Sequence, residues 1–488
     1  MNSQGSVEKP AAGRRLTLEP DTIVAVSTAQ GIGAVALVRM SGTQAWQVAG
    51  KMIQGAGKFD RLEVRKSALF TLCHPESGDK LDNALVVKYK GPESFTGEDV
   101  VEFQCHGGLA VPLAVTGAAI AAGARQAQEG EFTRRAFLNR KLDLTQAEAI
   151  DSLVHASSEP GRKLALSGLG GELGQQIESL RELLLDLKAE LEYSIDFPEE
   201  EQHADLYRGI RNRKEQAVTG LEKLLQGAQR NIVISRGALA VIAGAPNVGK
   251  SLLFNRLLGR ERSIVTELAG TTRDAVEMET MIGGLLFRLV DTAGLRKSRG
   301  RVEKIGVEYS RRYMEQADLV LFVHEAGAGF KKKENEFLKT YGDKNILKIL
   351  NKIDLIGSWS GPPEGYIPVS ALKATGLEEL KQAMVSSVMP EAGEKLTGPR
   401  VNSIRQKNLL EQAKSVLSGI DEKMSAELVA ADLEEACGLL GEITGKITSE
   451  DVLGRIFSRF CIGKLSGMCH VKHSAPVKHL FRFLHIPL

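Results

Sequence analysis

The sequence predicts a multidomain protein with α/β and α parts. An N-terminal α+β domain leads into a helical domain that is split by an inserted phosphate-loop α/β domain. Three observations carry this expectation. Short β-branched runs open the chain. A block of short apolar strands, spaced by longer segments, begins near Ala238. Tracts with apolar residues at helical spacing flank that block on both sides. A length of 488 residues leaves room for about three domains.

Met1–Pro20 mixes acids and bases and lacks the apolar core of a secretory signal; its acids weaken the alternative of a mitochondrial presequence, and it reads as a ragged, mobile start. The runs Thr22–Ser27, Ala34–Arg39 and Ala84–Tyr89 read as strands, and Ala114–Ala124 as a helix. The nearly uncharged stretch Leu109–Ala124 contains Pro112 and is short for a membrane span, so a buried helix is expected. The first domain is placed at 1–140. In the next tract, at 141–236, Ile177, Leu180, Leu184, Leu187 and Leu191 alternate steps of three and four, a helix-packing stripe. Pro198 and Glu199–Glu201 interrupt it. Leu239–Ile242, Leu285–Val290, Leu319–Val323 and Ile346–Leu350 then read as strands of a largely parallel sheet, at 237–392. Helical patterning resumes at 393–464, and 465–488 reads as a disordered extension.

Composition narrows the function classes. Hydrophobic residues make up 43% and charged residues 25%, which excludes global disorder. A net charge of +2 is too small for a nucleic-acid coat protein, so any RNA contact requires a local patch. Five cysteines do not make a disulfide framework, and a reducing, cytoplasmic setting without a membrane span is expected.

The chemistry sits in the inserted domain. Gly244-Ala-Pro-Asn-Val-Gly-Lys-Ser251 fits the phosphate-loop pattern between a strand and the helical run Leu252–Leu258. Its backbone N–H groups, including those of Asn247, Val248 and Gly249, are expected to curl around phosphate oxygens. Lys250 supplies charge to the β and γ phosphates, and Ser251 offers a hydroxyl to Mg²⁺. Asp291-Thr292-Ala293-Gly294 follows a strand, with Asp291 near the metal and Gly294 near the γ phosphate. Asn351-Lys352-Ile353-Asp354 ends another strand, and Asp354 can accept hydrogen bonds from guanine N1–H and its exocyclic amine. Ser370-Ala371-Leu372-Lys373 sits where a loop would meet the guanine carbonyl. Thr271 and Thr272 offer a switch-loop metal ligand. Together these motifs predict GTP binding.

Hydrolysis needs a water-handling group. Where small signalling GTPases carry a glutamine, this chain has Leu295, which neither donates nor accepts. Either hydrolysis is slow or another group serves. Glu303 is a candidate general base, set against an ordinary solvated glutamate. Arg273 and Arg296 lie nearby, but neither is an evident arginine finger.

The switch motif Gly270-Thr-Thr-Arg-Asp274, Asp291-Thr-Ala-Gly-Leu-Arg296 and Phe460-Cys-Ile-Gly-Lys464 together resemble the tRNA modification GTPase MnmE (TrmE) family. In the N-terminal half, Val38–Gly42, Ser94–Asp99, His106-Gly-Gly108, Glu131–Asn139 and Lys141–Ala149 do the same. The resemblance covers Asp21–Lys464. It implies an N-terminal folate-binding and dimerisation domain and a helical domain split by a Ras-like P-loop G domain. It also implies a homodimer that works with an MnmG-type flavoprotein, in a heterotetramer or larger complex, on C5 of the wobble uridine of certain tRNAs. The one-carbon donor would be 5-formyl- or methylene-tetrahydrofolate, and FAD would enter only through the partner. A K⁺ ion at paired G domains would replace the arginine finger, held by Asn247, Thr266, Leu268 and Thr271. Ser251 and Thr272 would hold Mg²⁺, and Glu303 would handle the water. The nucleotide contacts would extend to Leu252, Thr266, Gly270 and Thr271. The folate contacts would fall on Arg39, Glu102, Lys141 and Lys464.

The chain also departs from that pattern. It continues past Lys464 with a tail holding Lys472, Lys478 and Arg482 and no acidic residue, which reads either as a disordered extension or as a tRNA- or metal-binding one. Cys469-His470-x-x-His473 lacks the usual metal-ligand spacing. Gln128-Glu129-Gly130, Ser27–Gln30 and the basic Lys297–Arg301 also differ from the family's usual residues. Cys461 reads equally as a chemical residue and as a small buried thiol. A binding-switch GTPase is the rival reading, and the folate motifs discriminate against it.

Overall fold

The computed structural model describes residues 21–29, 31–196, 203–259, 277–291, 311–329, 332–356, 361–389, 399–421, 424–458 and 460. Several expectations lie outside these residues. They concern the start at 1–20, the break at Pro198–Glu201, the switch segment around Thr266–Asp274, the stretch Thr292–Glu303, Cys461, Lys464 and the tail.

The first unit is α+β. Strands β1 (Ile23–Val26), β2 (Val35–Ser41), β3 (Ser67–Cys73), β4 (Lys80–Tyr89), β5 (Val100–His106) and β6 (Arg125–Gln126) form one sheet in the order β3-β4-β5-β2-β1-β6. All neighbours are antiparallel except β1 and β6. Alternation along β2 sends Ala36, Val38 and Met40 into the core and leaves Arg39 on the opposite face. Helices α1 (Ala45–Lys51), α2 (Ala56–Asp60) and α3 (Ala110–Ala121) pack their apolar residues over the core face. The sequence pattern predicts this helix from Ala114. The helix starts earlier because Pro112 falls in its first turn, where a missing N–H costs nothing. Nor is α3 buried all round: Val115, Ala118 and Ala119 are covered, while Leu113 and Ile120 are exposed. Helix α4 (Glu131–Leu138) closes the unit through Arg135, which is 2% exposed and ion-paired to Asp21, Glu98 and Glu131.

The helical part comprises α5 (Leu144–Val154), α6 (Glu159–Leu169), α7 (Glu172–Asp196), α8 (His203–Leu225) and α9 (Ala228–Arg236). Asp143 and Gln146 form a reciprocal capping box that starts α5. The predicted stripe holds in α7. Ile177, Leu184, Leu187 and Leu191 are fully buried, and Leu180 packs against α8 where Gly220 leaves room. Their partners come from α8 and from the far end of the chain.

Between the two helical parts lies the second sheet. Its strands are β7 (Ala238–Gly244), β8 (Glu277–Ile282), β9 (Leu285–Asp291), β10 (Leu319–Glu325), β11 (Ile346–Asn351) and β12 (Tyr366–Val369). The order is β12-β11-β10-β7-β9-β8, parallel except for edge strand β8. Helices α10 (Lys250–Leu258), α11 (Lys332–Thr340) and α12 (Leu377–Val388) accompany it. The apolar runs of β7 and β10 are buried on both faces, as a parallel sheet requires.

The chain then returns through α13 (Ile404–Gly419), α14 (Ala426–Thr444) and α15 (Glu450–Phe457). Leu410 and Leu417 of α13 and Leu433 and Leu440 of α14 share one core with α7 and α8. Burying each such leucine contributes roughly 1.5–3 kcal/mol. The bundle of α7, α8, α13 and α14 is therefore one core assembled from two stretches of sequence, with the second sheet inserted between them.

Candidate functional site

The second sheet places its chemistry at the carboxyl ends of its strands. The chain leaves β7 toward β9 on one side and reaches β10 on the other, so a switch point opens between β7 and β10. The phosphate-loop motif fills this point. Gly244, at φ 144, ends β7, and a Cβ there would lie 2.2 Å from the Val323 carbonyl oxygen of β10. Gly249, at φ 96, caps α10, and its Cβ would lie 2.3 Å from Asn351 Nδ2. Side-chain-bearing residues rarely adopt such angles, so the motif's glycines are needed for conformation and for space. Asn247 also has positive φ, 66°, and is exposed. Val248 between them is buried, and Leu252 on α10 is 40% exposed.

Lys250 and Ser251 open α10, where the unpaired N–H groups and the helix dipole favour an anion. Lys250 is 7% exposed, and its Nζ donates to the carbonyls of Gly244 at 3.0 Å and Ala245 at 2.6 Å. The ammonium is thus held over the loop that would cradle a phosphate. Ser251 Oγ donates to Asp291 Oδ2 at 2.7 Å. This hydroxyl–carboxylate pair from two elements is a set of hard oxygens that fits Mg²⁺.

The other end of the site is tied together by Asn351, which is 1% exposed. Its Nδ2 donates to the Val248 carbonyl at 2.8 Å, and its Oδ1 accepts from Ala371 N–H at 3.0 Å. One side chain thereby joins the phosphate loop to the Ser370-Ala371-Leu372 loop. Ser370 Oγ donates to Asp354 Oδ1 at 2.5 Å, and this bond holds the Asp354 carboxyl below its ordinary value. A carboxylate fixed in this way is suited to accepting from paired N–H donors, as on guanine. Lys352 sits at φ 68 and pairs with Glu325 at 3.0 Å.

The fold therefore brings together Asn247, Val248, Gly249, Lys250, Ser251, Leu252, Asp291, Asn351, Lys352, Asp354, Ser370, Ala371 and Leu372. Thr266, Leu268, Gly270, Thr271, Thr272, Thr292, Ala293, Gly294 and Glu303 lie outside the described residues. Sequence reasoning passed over two side chains, Glu325 on Lys352 and Arg256 on the Ala371–Leu372 loop. Neither belongs to a motif, and each reaches a partner distant in sequence.

In the first sheet, Arg39 on β2 and Glu102 on β5 stand opposite each other in register. Arg39 Nε and a terminal guanidinium nitrogen lie 2.8 and 2.7 Å from Glu102 Oε1. Tyr89 donates its hydroxyl to Glu102 Oε2 at 3.3 Å. The guanidinium also lies 5.4 Å from the Phe95 ring centre and 5.9 Å from that of Phe132. Expected to serve different parts of one ligand, Arg39 and Glu102 are here paired with each other. Lys141 is exposed and borders the same 94–99 loop through Gly97. Its expected companion Lys464 lies outside the described residues. Beside the paired charges, the Phe95 and Phe132 rings offer apolar faces against which a flat heterocycle could stack.

Among the described residues no group of three or more His, Cys, Asp or Glu is placed to hold a metal, and no helix is long and apolar enough to cross a membrane. Comparison with known proteins covers both sheets and the helices. Residues 144–461 match the family model described as the MnmE helical domain, and residues 22–141 match that of the GTP-binding protein TrmE N-terminus. The tRNA modification GTPase MnmE of Aquifex aeolicus is 41% identical over 455 residues, covering 91% of this chain and 100% of the relative. The protein of that name from Thermotoga maritima is 39% identical over 464 residues, with the same coverage.

Proposed function

The chain belongs to the tRNA modification GTPase MnmE family, and from that premise we propose that it is a K⁺-stimulated GTPase acting in tRNA wobble-uridine modification. The observation that carries the GTPase reading is the convergence at one sheet end of the Lys250–Ser251–Asp291 group and the Asn351–Asp354–Ser370 group. They are bridged by Asn351, so phosphate and guanine recognition share one rigid frame. Lys250 and the α10 N-terminus take the phosphates, and Asp354 reads the guanine. Ser251 with Thr272 would hold Mg²⁺, which offsets phosphate charge when bound. Asn247, Thr266, Leu268 and Thr271 would hold K⁺, and Glu303 would orient the attacking water in place of the missing glutamine. Val248, Gly249, Gly270, Thr292, Ala293 and Gly294 would complete the phosphate contacts, and Lys352, Ala371 and Leu372 those to the base.

The rest of the assignment rests on the resemblance and on the chemistry of the first sheet. The protein would act as a homodimer with an MnmG-type flavoprotein in the cytoplasm, on tRNA. Arg39, Glu102, Lys141 and Lys464 would hold a tetrahydrofolate one-carbon donor. The Arg39–Glu102 pair between Phe95 and Phe132 supports this reading.

GTP turnover in K⁺ against Na⁺, at matched ionic strength and across protein concentration, tests the proposal. Strong K⁺ stimulation that rises with concentration is expected. Equal, slow rates in both salts would favour the binding-switch reading instead. Calorimetric titration with 5-formyltetrahydrofolate tests the first sheet, and absence of binding by folded protein would refute the folate assignment.

A further inference from the structure

Helix α10 begins with the phosphate-site residues Lys250 and Ser251 and carries Arg256 in its last turn. Arg256 reaches across to the loop after β12. Its Nε donates to the Ala371 carbonyl and its Nη2 to the Leu372 carbonyl, each at 2.9 Å. Two donors in a fixed fork grip two successive carbonyls, a geometry that a lysine cannot reproduce.

The same loop is held elsewhere by other groups. Asn351 Oδ1 accepts from Ala371 N–H at 3.0 Å, so Ala371 is held at its N–H by Asn351 and at its C=O by Arg256. Ser370 ties the loop's start to Asp354, and Ser370 and Thr375 exchange backbone hydrogen bonds at 3.0 and 3.2 Å. A trans peptide points its N–H opposite its C=O. With the Ala371 carbonyl turned onto Arg256, the Leu372 N–H is directed away from that side chain. The Leu372 carbonyl fixes the Lys373 N–H in the same manner, and that N–H donates to Ser370 Oγ at 3.0 Å.

We infer that Arg256 is a positioning residue for base selection: its fork on the Ala371 and Leu372 carbonyls sets the Leu372 N–H, the amide of this loop that reads the six-position oxygen of guanine. The inference rests on the GTP reading above and deepens it. Arg256 Nε and Nη2 are both engaged on the loop's carbonyls, so it acts through the loop. It also links the two ends of the site mechanically, because the helix that starts at the phosphates ends at the loop that reads the base.

The test uses the full chain and three fluorescently tagged diphosphates. GDP is the reference. IDP lacks only the two-amino group assigned to Asp354. 6-Thio-GDP keeps both N–H donors but replaces the six-position oxygen with a poor acceptor. In the parent chain GDP is expected to bind more tightly than both analogues. Arg256→Met keeps the stem and removes the fork. It is expected to reduce the preference for GDP over 6-thio-GDP about tenfold, since a site loses discrimination when its donor is no longer held. The preference for GDP over IDP is expected to stay within about twofold, because Asp354 is held separately by Ser370. Arg256→Lys, which can reach one carbonyl, is expected to fall between, and it provides the measurement if the methionine variant does not fold. Equal weakening of all three diphosphates, or no weakening, would overturn the inference and leave Arg256 a structural tether. If the parent chain does not prefer GDP over ADP, added as a fourth tagged diphosphate for control, the GTP reading fails, and this inference fails with it.

Discussion

Gly249→Ala puts the geometry of the phosphate loop to a direct test. Gly249 has φ 96, a left-handed angle that costs an L side chain roughly 1–2 kcal/mol. Its new Cβ would lie 2.3 Å from Asn351 Nδ2, far inside contact distance. Asn351 can clear it only by giving up the 2.8 Å bond to the buried Val248 carbonyl, at about 1–3 kcal/mol. The two contributions sum to about 2–5 kcal/mol. At 1.4 kcal/mol per tenfold, even the lower figure weakens GDP binding roughly 30-fold if it falls wholly on the bound state. Any share borne by the fold appears instead as a lower melting temperature, so both are measured, by fluorescence titration with tagged GDP and by thermal unfolding. Gly284→Ala is the control. It also sits at positive φ, 79°, but a Cβ there meets nothing within 4 Å. It should cost stability and leave GDP affinity unchanged. If Gly249→Ala alters affinity less than threefold with an unchanged melting temperature, the loop does not have this geometry in solution.

Two further predictions concern charges. Asp354→Asn exchanges a fixed acceptor for a group that also donates, so GDP affinity should fall at least about tenfold and xanthosine diphosphate should gain; an unchanged guanine preference in a competition assay would refute the base assignment. Arg135→Met should destabilise the first unit by about 3–5 kcal/mol, because it leaves Asp21, Glu98 and Glu131 short of their buried partner. In the parent chain, burial pushes the Asp21 and Glu131 carboxyls up, but Arg125 and Arg135 outweigh it and hold both below their ordinary values of 3.8 and 4.5. Their stabilisation is therefore complete above the ordinary range and is lost as pH falls through the depressed values. Acid unfolding, followed by Trp46 fluorescence in a Trp359→Phe background, should begin below about pH 4 in the parent. In Arg135→Met the midpoint should move upward, and an unmoved midpoint would mean the cluster contributes nothing to folding.

Much of the second sheet was legible in the sequence. A buried parallel strand is a short run of apolar residues, and the phosphate loop requires glycines at fixed positions, so both leave local marks. The α7 stripe was legible for the same reason: a helix repeats its buried face within a few residues. Strands β3 and β5 were passed over because half of their residues face outward or pair with charges, as at Glu102, which weakens the apolar signal. The capping box at Asp143 and Gln146 was visible in principle as an Asp with a Gln three positions on.

The sequence by itself determined which segments are helix or strand where the pattern is local, and which motifs are candidates to meet phosphate and guanine. Only the tertiary structure decided what those motifs are fastened to. Asn351 joins Val248 and Ala371, Arg256 grips the carbonyls of residues more than a hundred positions away, and Arg39 finds Glu102 through strand register. The helical core likewise closes only when α13 and α14 return to α7 and α8. Local conformation follows from neighbouring residues through sterics and periodicity, whereas a contact between distant residues depends on how whole elements pack, and no short stretch of sequence encodes that.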